Sequence, residues 1–247
     1  MSGHPLRSAL LLLVALGAVG AGGYAVQQSL YAGREPLDLT PDAVLDEAPP
    51  PATAPAAPAS TVPLIDAAWV SATAARAGIP EPAVLAYARG TVRVDPDCGL
   101  GWTTLAGIGW VESQHGAIGG RRLRADGTSS RKILGPALDG DGGFAAIPAT
   151  AESTRWHGDP DWDHAVGPLQ FIPSTWDDWA SDGDGDGRTD PNDIDDAAYA
   201  AARYLCHDDA DLTTGTGWAR GVFSYNHAQA YVDSVYAAAT SYASRTS

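Results

Sequence analysis

The chain has 247 residues, with 30 Asp and Glu against 15 Lys and Arg, a formal net charge of −15, and only two cysteines. That length accommodates one sizeable domain with additions. So few cations argue against a nucleic-acid partner, because phosphate binding needs a cationic face; the acidity fits calcium ligands or plain solubility.

A short head, residues 1–7, contains Arg7 and precedes "SALLLLVALGAVGAGGYAV", residues 8–26. This uncharged run is about long enough to cross a bilayer as one helix. It is expected to act as a signal anchor in the cell membrane, leaving an extracytoplasmic catalytic domain. A cleaved signal peptide, giving a secreted protein, is the rival reading, since Ala18, Gly20 and Ala21 offer a small-residue cleavage site. Residues 27–62 follow as a Pro/Ala-rich linker whose composition predicts a semi-extended spacer with no packed core. Residues 63–247 then form the folded domain. In an exported chain, Cys98 and Cys206 suggest one disulfide closing a long loop; two unpaired buried thiols are the alternative.

Within the domain, "LIDAAWVSATAARAG" and "PAVLAYARGTVR" read as amphipathic helices separated by the turn at Gly78 to Pro80. "LGWTTLAGIGWVESQHG" is a third helix, with Gly116 available as its left-handed stop. Residues 119–166 are rich in Gly, Asp, Arg and Pro and show little periodicity, which marks a long irregular insertion. "PSTWDDWA", "DDAAYAAARYLC", "WARGVFSY" and "AQAYVDSVYAAATSYA" supply the later helices. Strand signals are almost absent, so the expected fold class is all-α.

"SDGDGDGRTDPNDIDDAA" has the alternation of an EF-hand-like calcium loop. Asp182, Asp184 and Asp186 alternate, Gly187 allows a sharp turn, and Arg188 would contribute its backbone carbonyl. A twelve-residue loop would close on Asp193, and a longer one on Asp196. A solvated Asp/Gly turn capping a helix is the bland alternative. Three alternating Asp in register favour a structural calcium ion. The histidines lack the spacing of a zinc site.

Glu112 raises the sharpest question. On a helical projection it falls on the apolar stripe of Trp102, Leu105, Ile108 and Gly109. Such an acid is a surface group at a helix end, a buried partner for Arg121 or Arg122, or a general acid held protonated by its apolar setting. The wheel disfavours the first and leaves the other two open. Gln170, beside a Gly-Pro bend, and Tyr225 with Asn226, between two helical segments, stand where side chains converge on a cleft; capping roles are equally compatible.

"GIGWVESQHG", "AVGPLQFIPSTW", "DGDGDGRTDPNDIDDAA" and "YNHAQAYV" together, and in this order, resemble the lytic murein transglycosylases of the membrane-bound B type, particularly their actinobacterial relatives. The resemblance runs from about Pro80 to Val235. It departs at "GPLQF", where many relatives carry another residue before Gln, and in the poorly aligning residues 119–166. It implies a lysozyme-like helical domain acting on peptidoglycan glycan strands. It also implies Glu112 as the single catalytic acid/base, with Gln170, Tyr225 and Asn226 lining the cleft. Ser113 and Phe171, adjacent to Glu112 and Gln170, join the expected substrate-binding set. The family's longer calcium loop aligns its closing acid with Asp196. The implied reaction cleaves the β-1,4 bond between N-acetylmuramic acid (MurNAc) and N-acetylglucosamine (GlcNAc), leaving a 1,6-anhydro-MurNAc end. A hydrolytic muramidase, with Asp139, Asp161 or Asp163 as second carboxylate, and a noncatalytic peptidoglycan-binding module are the alternatives.

Overall fold

Asp66 begins the first helix by accepting a hydrogen bond from Trp69 N at 2.7 Å, and Gly78, at φ 73°, ends it. This helix, α1, spans Ala67–Ala77. The computed structural model describes residues 47–54, 62–141, 146–207 and 210–247. The head, the apolar run 8–26 and most of the linker lie outside the described residues. Among those described, no helix is long and apolar enough to cross a membrane.

Helix α2 spans Glu81–Val92 and α3 spans Trp102–Ser113. The insertion then contributes strand β1, Leu134–Ala137, helix α4, Ala151–His157, and strand β2, His164–Val166. Helices α5, Pro173–Trp179, α6, Ile194–Leu205, α7, Gly215–Tyr225, and α8, Gln229–Thr246, complete the domain. All seven helices anticipated from periodicity are present. The strands and α4 are not anticipated. β1 and β2 pair antiparallel with a register irregularity, and isolated bridges extend the irregular sheet. These strands are three and four residues long and carry no clean apolar alternation, so they leave little trace in the sequence.

Two close helix contacts set the core, and each depends on small residues. A Cβ at Gly107 of α3 would stand 2.8 Å from Val235 O of α8, and one at Gly90 of α2 would stand 3.0 Å from Ala198 O of α6. Ala197, Ala198, Ala200, Ala201 and Ala202 are fully buried on α6, which lets it nest against α2. Helix α3 is enclosed on every side from Trp102 to Gly109. The apolar stripe drawn on the wheel is therefore no single face, and Glu112 stands at the end of a buried helix. That helix stops earlier than expected: Gln114, at φ 53°, is its left-handed cap, with His115 and Gly116 continuing at positive φ.

Cys98 and Cys206 are joined in a disulfide with Cα atoms 5.6 Å apart, linking positions 108 residues distant in the chain. Part of the Pro/Ala-rich stretch departs from the free spacer expected of it. Pro49 is buried, Ala48 and Ala52 pack on the core, and Trp102 N donates to Ala52 O at 3.2 Å. The extended backbone that keeps this composition from forming its own core leaves carbonyls free to cap the start of α3. Gly101 permits the approach, since a Cβ there would meet Pro51 Cα at 2.9 Å.

Candidate active site

Three consecutive carbonyls of the turn Gly167–Gln170 gather side chains from the end of α3, from the turn itself and from α7. Gln170 Nε2 donates to Gly167 O at 2.8 Å, Ser113 Oγ to Pro168 O at 2.5 Å, and Tyr225 Oη to Leu169 O at 2.8 Å. Residues from α3, from the turn itself and from α7 are thus held on one short piece of backbone. Gln170 occupies a left-handed conformation, φ 51°, unusual for a side chain of its size. Ser113 also accepts from Gly116 N at 2.8 Å and is fully buried. Expected to bind substrate, it instead ties backbone to backbone, because its hydroxyl is engaged both as donor and as acceptor.

Glu112 is half-buried on the last turn of α3. Tyr231 Oη donates to its Oε1 at 2.7 Å. Desolvation pushes the carboxyl from its ordinary 4.5 up to about 8, and the Tyr231 hydrogen bond, which favours the carboxylate, pulls the other way. The remaining solvent access means that crowding by neighbours, rather than complete exclusion from water, holds the proton. No arginine pairs with Glu112, which removes the expected alternative of an ion pair with Arg121 or Arg122 among the described residues.

The tyrosine rings at 225 and 231 stack at 6.4 Å and 6°. Both phenols are held well above the usual range, first by burial and then by the nearby Glu112. Phe171 is buried, edge-on to Trp176 at 5.4 Å and to Tyr225 at 5.9 Å, so it supports the Tyr225 ring from within the core. Asn226 caps α7, donating its N–H to Val222 O at 3.3 Å, and its side chain is buried. Tyr231 is the partner of Glu112 that sequence reasoning passed over. Its one signal is that it is the second tyrosine of "YNHAQAY", the stretch that also holds Tyr225 and Asn226.

Behind Glu112, His115 bridges Tyr87 Oη at 3.0 Å and Tyr242 Oη at 2.9 Å. Burial holds its imidazole at about 3, so it stays neutral and polar without adding charge to the site. A Cβ at Gly109 would collide with Tyr87, which explains glycine within this helix.

In the acidic loop, one carboxylate oxygen each of Asp182, Asp184 and Asp196 lie within 4.8 Å of one another. Asp196 is buried and accepts from Gly183 N at 2.6 Å and Asp190 N at 2.8 Å. Burial, and then Asp184 and Asp182, push it up to about 7 despite those bonds. Arg93 Nη1 holds the loop backbone at Asp182 O, 3.0 Å, and Gly183 O, 2.9 Å. Three converging carboxylates that among the described residues pair with no cation match the oxygen donors a hard divalent ion takes. Asp193 stands outside this cluster, capping α6 by accepting from Asp195 N at 2.8 Å. Asp186 is exposed and accepts from Arg188 N at 2.8 Å, so its carboxylate too lies outside the cluster, and the Arg188 side chain is exposed.

Residues 160–228 match the Transglycosylase SLT domain family. The match makes this segment part of an enzyme domain, and it takes in Gln170, the acidic loop, Tyr225 and Asn226, while Glu112 lies outside it. No curated protein matches the chain significantly. Among solved structures, the Escherichia coli lytic transglycosylase Slt35 in complex with bulgecin A has 18% identity, a TM-score of 0.44, and coverage of 73% of this chain and 79% of that one. The same protein in complex with calcium has 16% identity, a TM-score of 0.44, and coverage of 73% and 80%. SltB3 from Pseudomonas aeruginosa, in complex with NAG-anhNAM-pentapeptide, has 16% identity, a TM-score of 0.40, and coverage of 92% and 76%.

Proposed function

We propose that the chain is a peptidoglycan lytic transglycosylase of the membrane-bound B type, cleaving the MurNAc–GlcNAc β-1,4 bond with Glu112 as sole acid and base. The observation that carries this reading is the setting of Glu112. Its proton is retained to about 8, and no second carboxylate contributes to the shift. Of the acids a hydrolase could recruit, Asp139 and Asp161 are exposed, and Asp163 is buried against Ser153 and His157. A two-carboxylate hydrolysis places its acids on either side of the scissile bond; here one acid serves both steps.

In this scheme Glu112 protonates the glycosidic oxygen, and the GlcNAc leaving group departs as its free alcohol. The substrate's own N-acetyl carbonyl stabilises the positive charge developing at the anomeric carbon. Glu112, now a carboxylate accepting from Tyr231, removes the proton of the muramoyl C6 hydroxyl. That oxygen closes on the anomeric carbon, giving the 1,6-anhydro end and restoring the protonated acid. A raised pKa suits the first step, and the Tyr231 hydrogen bond suits the second. Gln170, Tyr225 and Asn226 position the sugar and its acetamido group.

Asp182, Asp184 and Asp196 would hold a structural calcium ion, which would offset most of their negative charge and fix the start of α6. The apolar run 8–26 would tether the domain to the outer face of the membrane.

The test is release of soluble sugars from purified peptidoglycan by the full-length protein beside Glu112→Gln. The reading requires release by the parent and none by a folded variant; equal release by both contradicts it.

A further inference from the structure

Five of the chain's 15 Lys and Arg fall between positions 121 and 132: Arg121, Arg122, Arg124, Arg131 and Lys132. Asp126 is the single acid in that stretch of a chain whose net charge is −15. The segment folds as a tight hairpin. Arg124 N donates to Thr128 O, Ser130 N donates to Arg122 O, each at 2.8 Å, and Leu123 bridges Ser129. Four of the five cations are exposed, and Arg121 is half-buried. Among the described residues none of them forms an ion pair with a carboxylate.

The heads of Arg121, Arg124, Arg131 and Lys132 are nevertheless held. Arg121 bonds Ile118 O at 2.9 Å and Lys132 O at 3.2 Å; Arg124 bonds Ser129 O at 2.9 Å and Ser130 O at 3.1 Å. Arg131 bonds Gly119 O at 3.2 Å, and Lys132 Nζ bonds Trp156 O at 2.9 Å. Carbonyls orient a cation without cancelling its charge, so the hairpin presents a fixed positive surface. Repulsion among these groups disfavours the arrangement unless an anion answers it.

The second arm of the hairpin is pinned beside the candidate site at two points. Ser129 Oγ donates to Gly116 O at 2.5 Å, four residues past Glu112, and Gly167 N donates to Ile133 O at 2.9 Å. Next along the chain, Gly135 faces Gln170 Oε1, which a Cβ there would meet at 2.9 Å. The cations thus lie on a loop strung between the end of the Glu112 helix and the Gly167–Gln170 turn.

We propose that the 121–132 hairpin is a docking surface for the carboxylates of peptide stems on the glycan strand whose bond Glu112 attacks. The inference rests on the transglycosylase reading. On a stem-bearing strand the muramoyl lactyl carboxyl is tied up as an amide, so the sugars themselves offer arginines no anion, whereas the stems carry free carboxylates. Guanidinium forks match carboxylates in geometry as well as charge. An uncleaved stem-bearing strand is therefore a better ligand than the bare glycan.

The test uses full-length Glu112→Gln protein, so that binding is measured without cleavage. It is sedimented with peptidoglycan freed of phosphate polymers, either carrying its stems or stripped of them by an amidase, with the lactyl carboxylates this frees then capped as neutral amides. Binding to the stem-bearing material should be tighter, and the difference should fade with added salt. Adding Arg122→Glu and Arg131→Glu should weaken binding to the stem-bearing material roughly tenfold and leave binding to stripped glycan unchanged. Arg122→Lys with Arg131→Lys should retain most of the stem preference, and matched thermal unfolding of the variants checks the fold. Equal affinity for both materials, an equal drop on both, or no effect of the charge reversal overturns the proposal. So does binding that appears only when phosphate polymers are left in place. Cleavage of stem-bearing peptidoglycan by the parent protein is scored separately: its absence counts against the transglycosylase reading, while the binding comparison still decides the hairpin's partner.

Discussion

Replacing Glu112 with glutamine should stabilise the protein, and by an amount that depends on pH. Glu112 keeps its proton to about 8 in the folded chain, against an ordinary 4.5 when unfolded. The folded state therefore binds more protons between those values, and stability falls as pH rises through the window. Below 4.5 both states are protonated and the residue imposes no electrostatic penalty. Each pH unit above that costs about 1.4 kcal/mol, so the penalty by pH 7 is at most about 3.5 kcal/mol. Solvent reaching the half-buried side chain reduces it to ~1–2 kcal/mol. Glutamine offers Tyr231 the same acceptor oxygen and never ionises. Urea unfolding of both proteins should coincide near pH 4, diverge in favour of Glu112→Gln up to about pH 8, and run parallel beyond. The acidic loop titrates in both proteins, so its contribution cancels from the difference. A gap independent of pH, or a variant less stable at pH 7, would refute the argument that this acid is held protonated by its surroundings.

Tyr231→Phe removes the one hydrogen bond that favours the Glu112 carboxylate, so the alkaline limb of the pH–kcat/KM profile should move to higher pH while kcat falls; a limb that stays put would show that Tyr231 does not govern this proton. Ser113→Ala leaves Pro168 O and Gly116 N without their partner and should cost about 1–3 kcal/mol in denaturant unfolding. Its loss of activity should track that instability, with no separate change in KM. Calcium should raise the Tm of the parent protein; Asp196→Asn should abolish most of that rise, while Asp186→Ala and Asp193→Asn should keep it. Equal losses from Asp186 and Asp196 would return the loop to the simpler alternating pattern.

The helices were legible because each carries its own signal: Asp66 as cap, Gly78 as stop, and the alanine face of α6. Helix α4 was not, being seven residues long with a Thr150–Ser153 capping box in place of the usual Glu or Gln partner. Glu112 attracted attention for a partly mistaken reason. The stripe it seemed to occupy is a helix buried all round, yet the desolvation inferred from it is present at the helix end. Gln170 and Tyr225 stand near Glu112 through the Gly167–Gln170 carbonyls, a backbone arrangement that side-chain pattern does not encode. Ser113 and Phe171 illustrate the same gap. Adjacency in sequence placed them with the substrate, whereas burial turns one into a backbone tie and the other into a ring support. Asp186 fits the alternation of the loop, but in the fold its carboxylate stays outside the cluster, where Asp196, on α6, joins Asp182 and Asp184.

The central claim is that Glu112 works alone and that the muramoyl hydroxyl, rather than water, attacks. Mass spectrometry of the sugars released from purified peptidoglycan by the full-length protein tests this most directly. The account predicts products one water lighter than hydrolysis products, ending in 1,6-anhydro-MurNAc. Ordinary reducing ends would contradict it, because water would then be the attacking group.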